Sequence, residues 1–173
     1  MKGVIYTIQS QVRDSERLSL NEFTVQLRER LDQFKIAYTE GIRALKRLRV
    51  STDVWPDQCQ RASRALVGIE GALQSISVLL GAANTLPFAV VMLRYDQVVT
   101  VNFLLSQLQQ LDEELREFQR NCRSGSQRAA RQRQSVQRRL SEIIPQIEDA
   151  ETELLALLDR SRNLDSKEHL RGG

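Results

Sequence analysis

From Trp55 to Leu80 the apolar residues fall at Trp55, Cys59, Ala62, Leu66, Ile69, Leu73, Ile76 and Leu80, with spacings that alternate four and three without a miss. A repeat of about 3.5 residues cannot follow one face of a strand, whose side chains alternate with period two. It does form a single seam along an α-helix. A seam this regular must be buried against other helices, so the first architecture to test is a helical bundle.

Three further segments supply the partners. The first opens on Ser19 and Glu22, a Ser-x-x-Glu capping pair that satisfies free backbone donors at a helix start. Phe23, Leu27, Leu31, Phe34, Tyr38, Ile42, Leu45 and Leu48 then recur at close to the helical period, and Arg47 and Arg49 suit the negative end of the helix dipole. Ser51, Thr52 and Asp53 offer capping oxygens to the second helix, with Pro56 tolerated in its first turn. Residues from Pro87 to Phe103 are apolar on more than one face, and Leu104, Leu108, Leu111, Leu115, Phe118 and Cys122 continue as one stripe. That change reads as full burial followed by an amphipathic half. The last stripe is Val136, Leu140, Ile143, Ile147, Ala150, Leu154 and Leu158, with Pro145 inside it, where a kink is expected.

The expected fold is therefore all-α: an antiparallel up-down four-helix bundle with long helices and a short N-terminal arm. The arm is residues 1–18. The bundle is 19–164, with helices over about 19–50, 54–81, 87–123 and 126–163, and 165–173 is a flexible tail. Composition agrees. The 173 residues are 41% hydrophobic and 27% charged, with few glycines and prolines and only 5% aromatics. That is a globular balance, with too few aromatic residues for a β-sandwich or barrel. Cys59 and Cys122 fall on apolar stripes and read as buried reduced thiols, not a disulfide framework. No secretory leader is evident, and no run of about eighteen consecutive apolar residues occurs. An intracellular, cytoplasmic, reducing location is the expectation.

Charge is where a function first shows. Of 25 basic residues four are lysine and 21 arginine, and between Phe118 and Ser141 seven arginines occur with no acid. Folding the chain up and down brings that run to the same pole as the end of the first helix and the start of the second. The candidate polyanion-binding set is Arg43, Lys46, Arg47, Arg49, Arg61, Arg64, Arg120, Arg123, Arg128, Arg131 and Arg133. Clustered arginines raise the local potential and present planar forks of donors that match phosphate. Trp55 at that pole is read as core, with base stacking as the rival. The opposite pole carries no charge between Glu70 and Arg94. Val78, Leu79, Leu86, Phe88 and Val91 are its candidate residues for self-association or, failing that, membrane contact.

Catalytic chemistry finds no foothold. His169 is the one histidine, without a second ligand at zinc spacing, so no metal and no cofactor is expected. Neighbouring carboxylates such as Glu113 and Glu114, or Glu148 and Asp149, point different ways on a helix and cannot share a proton. No catalytic residue is assigned and the chain is read as non-enzymatic. Leu170-Arg171-Gly172-Gly173 resembles the end of ubiquitin-like proteins, but a helical chain is no β-grasp fold. In architecture alone the layout resembles rod-shaped virus coat proteins, with four helices and an arginine-lined end. The expectation is a structural or assembly protein that self-associates into a homo-oligomer and binds a polyanion, RNA first. The alternatives are an adaptor that receives partner helices and a membrane-active bundle that inserts the 71–93 hairpin tip.

Overall fold

A computed structural model describes residues 18–51, 56–83, 86, 95–122 and 127–172, with side chains left out for a few residues at helix ends. Four helices account for almost all of it: α1, Leu20–Val50; α2, Pro56–Ala82; α3, Tyr95–Cys122; and α4, Gln127–Gly172. Each packs on its sequence neighbours, and α4 closes the ring against α1. The result is the expected all-α four-helix bundle. The N-terminal arm, Trp55, Phe88, Val91 and Arg123 lie outside the described residues.

The α2 seam behaves as its spacing requires. Cys59, Ala62, Leu66, Ile69, Leu73, Ile76 and Leu80 are all fully buried. Phe23, Leu27, Phe34, Leu45 and Leu48 of α1 meet them, with Leu104, Leu108, Leu111 and Leu115 of α3 and Leu140, Ile143, Ile147 and Leu157 of α4. Each such leucine contributes about 2 kcal/mol by leaving water. Ser19 caps α1, its hydroxyl accepting the Glu22 N–H at 3.1 Å. The buried Thr24 and Ser161 hydroxyls donate to the carbonyls of Leu20 and Leu157 one turn back, so neither is stranded in the core.

Polar clamps set the register between helices. Arg30 of α1 donates to the Ser75 carbonyl of α2. Ser63 of α2 donates to Asp112 of α3 at 2.9 Å, and Arg116 pairs with the same carboxylate at 3.1 Å. Ser77 meets Asn102 at 2.8 Å. Arg139 of α4 holds Glu114 of α3 at 3.0 Å, and Tyr38 of α1 donates to Glu148 of α4 at 2.7 Å. Between α2 and α3 the early Ser63 meets the late Asp112 and the late Ser77 meets the early Asn102, as antiparallel neighbours must.

The α1–α2 interface is the most intimate. Gly41 of α1 lies so close to Ala65 of α2 that a Cβ on Gly41 would stand 2.9 Å from the alanine methyl. Small residues let two backbones approach where larger ones would hold them apart.

Two expectations change. The final helix does not stop near Asn163 but runs to Gly172. Nothing from Asp165 to Arg171 breaks a helix, and the glycine pair is the first stop signal. Pro145 lies inside α4, as expected, on the exposed side, where water can serve the Ser141 carbonyl that its missing N–H leaves free. The first half of α3 is not fully buried: Val99 is exposed, and Phe103 is 57% exposed.

Gly41→Ala should lower the urea midpoint, at a cost of about 1–3 kcal/mol for overpacking. Gly68→Ala, whose added Cβ meets open space, should raise stability by up to about 1 kcal/mol. Equal effects would contradict the close approach. Partial burial, then the Glu148 hydrogen bond and the charges of Glu148 and Glu151, keep the Tyr38 phenol protonated well above its ordinary range. Its contribution is present below about pH 10 and fades as pH rises toward the higher folded-state value. Melting temperature should therefore fall more steeply above that pH in the wild type than in Tyr38→Phe.

Candidate anion-binding pole

The C-terminus of α1 is tied to α4 by one side chain. The Gln137 amide donates to the Leu48 carbonyl at 3.1 Å and the Ser51 carbonyl at 2.6 Å, filling two acceptors that a helix end leaves open. Asn121, near the end of α3, reaches Gln132 of α4 at 2.9 Å. The ends of α1 and α3 and the starts of α2 and α4 thus share one pole.

Arg43, Lys46, Arg47, Arg61, Arg64, Arg120 and Arg131 are exposed there, while Arg49 and Arg133 are half-buried. Arg128 lies in the first turn of α4, and its side chain is outside the described residues. The ion pairs Arg116–Asp112, Arg139–Glu114 and Arg162–Asp159 involve none of these residues. Among the described residues, none of Arg43, Lys46, Arg47, Arg49, Arg61, Arg64, Arg120 and Arg131 has a carboxylate partner.

The candidate residues divide into two groups. Arg61 and Arg64 of α2 line a cleft of about 370 Å³ against α1, floored by Ala37, Gly41, Ala44, Ala65 and Gly68. An adjoining cleft of about 310 Å³ adds Arg43, Arg47 and Gln58. The clefts share Glu40, Ala44 and Arg61, so they form one groove with four arginines on its walls and one acid. The remaining bases lie outside this groove, distributed over α1, α3 and α4. Their charge adds to the field at the pole without sharing one concave surface.

At the opposite pole Val78 is 60% exposed, but Leu79 and Leu86 are only 2% and 6% exposed. Those two belong to the core and have no surface to offer a partner in this state. Phe88 and Val91 fall outside the described residues. Among the described residues no group of three or more His, Cys, Asp or Glu side chains is placed to hold a metal ion.

Sequence reasoning does not find Gln137 or Asp112. Each is a lone polar residue beside an apolar stripe, and only tertiary packing reveals the groups it meets. None of the known protein families, curated proteins or solved structures matches the chain.

Gln137→Leu should leave the α1 carbonyls short of donors and cost on the order of 1–3 kcal/mol in urea unfolding. An unchanged midpoint would show that water replaces the clamp without loss.

Proposed function

We propose that this chain is a non-enzymatic assembly protein that self-associates and holds a polyanion, RNA first, at its arginine-rich pole. One observation carries the reading: Arg43, Lys46, Arg47, Arg61, Arg64, Arg120 and Arg131, drawn from all four helices, are exposed at one end, and none of the seven pairs with a carboxylate among the described residues. Clustered like charges repel, and α4 even begins with no acid in its first turn, against the preference of its dipole. A phosphate backbone relieves both penalties and releases its own counterions. Helix stability alone gives no reason for this arrangement.

A second reading, an adaptor that receives a partner helix, draws on the small-residue floor of the α1–α2 groove. The membrane reading has α2, which is long enough to cross a bilayer and holds one 18-residue window with a mean hydropathy of 1.6. Its strongest apolar seam, however, is spent on the core.

Binding to a short single-stranded RNA, measured by fluorescence anisotropy, should weaken steeply between about 50 and 200 mM salt. Arg47→Gln, Arg61→Gln and Arg131→Gln should each reduce the log–log salt slope by about 1, although they lie on three different helices. Affinity that barely responds to salt, or a freshly purified protein that neither carries nor captures nucleic acid, would sink the reading.

A further inference from the structure

The seam of α2 that faces the core is not its only one. On the opposite side Val67, Gly71, Gln74, Val78 and Gly81 repeat the four-three-four-three spacing. All five are exposed. A helix with two heptad seams has two faces suited to helix packing, and the bundle uses one. Carrying the outer seam toward the start of α2 meets Arg64, so its uncharged part begins at Val67.

The charge pattern singles this face out. The exposed side of α1 carries Arg28, Glu29, Asp32 and Lys35, and that of α4 carries Glu148 and Asp149. From Val67 to Gly81 the exposed side of α2 carries no charge. Glu70, the one ionisable residue in the span, occupies the same heptad position as Ser63 and Ser77, which both bond to α3, and is half-buried. Next to it α3 has no charge from Gln97 to Leu111 and leaves Val99 and Phe103 exposed.

We infer that this face is a two-fold interface with a second copy of the same chain. Burying it against a charged surface would strip water from charges that it cannot pair, so the partner surface must be uncharged too. Among the described residues the chain's own matching surface is this one. Shape agrees with charge. Place a two-fold axis across α2 at Gln74 and run the helices antiparallel. Val67 then lies over Gly81 of the second copy, Val78 comes within one residue of its Gly71, about 1.5 Å along the helix, and the two Gln74 amides face each other. Nothing within 4 Å would meet a Cβ at Gly71 or Gly81, so each glycine leaves open space into which a neighbouring side chain can reach. The same operation that places one knob places its mate, as an isologous contact demands. Gln74 and its neighbours are polar without charge, which suits a protein interface better than acyl chains.

This rests on the self-association half of the proposed function and not on RNA, so it is measured with nucleic acid removed. Sedimentation equilibrium across the micromolar range should show a dimer. Val78→Glu and Gly71→Leu should each raise its dissociation constant by about tenfold or more while circular dichroism stays unchanged, since both positions face outward. Gln74→Cys should cross-link to itself under mild oxidation. Gln60→Cys, exposed on the same helix but two heptads from the axis, should not exceed the wild-type background. A monomer throughout the range overturns the proposal, and so do equal yields from the two cysteine variants. A monomer that floats with neutral phosphatidylcholine vesicles overturns it in favour of a membrane occupant. Loss of RNA affinity in the arginine variants with the dimer intact leaves this interface standing.

Discussion

The contact between Gly41 and Ala65 governs more of this molecule than its size suggests. Interaxial distance between packed helices follows the bulk of the side chains at the contact. With glycine on one side and alanine on the other, α1 and α2 approach so closely that a Cβ on Gly41 would stand 2.9 Å from the Ala65 methyl. The outer groove then has a floor of small residues, and the arginines above it stand on opposite walls of one cleft. A leucine at position 41 would force the helices apart and turn a walled groove into two separate basic edges. The character of the pole therefore depends on an apolar contact that itself carries no charge.

That pole strains against local helix electrostatics. Bases at the end of α1 complement its dipole, but those at the start of α4 oppose it. The mismatch is on the order of 1 kcal/mol at an exposed helix end. The buried stripe of α4, from Val136 through Leu158, stabilises by several times that. The core can hold an unfavourable charge arrangement in place.

Much of the bundle is legible in the amino-acid sequence. The α2 seam names its buried residues one by one, because a strict four-three repeat admits only one face. Ser19 announces the start of α1 because a capping hydroxyl acts locally. The end of α4 is not legible in the same way, since Asn163 and Asp165 only weakly disfavour a helix and do not stop it. Phe103 reads as core from sequence because apolar residues crowd both sides of that segment, and composition cannot say which side a neighbour covers. The basic pole is legible as a set of charges. Its division into a groove and a scattered remainder is not, because Gly41, Ala44, Ala65 and Gly68 carry no signal that they face one another across a cleft.

Ring closure separates the four interfaces kinetically. Ser77 and Asn102, which join α2 to α3, are 25 residues apart, whereas Tyr38 and Glu148, which join α1 to α4, are 110 apart. Three of the interfaces are hairpins that form with little loss of chain entropy. The fourth must gather the two ends of the domain, and loop entropy grows with the length enclosed. The α1–α4 seam is thus the natural parting line of the barrel of helices. A chain that opened there would keep α4 on α3 and all three hairpins intact, and would uncover only the part of each apolar stripe that α1 and α4 share.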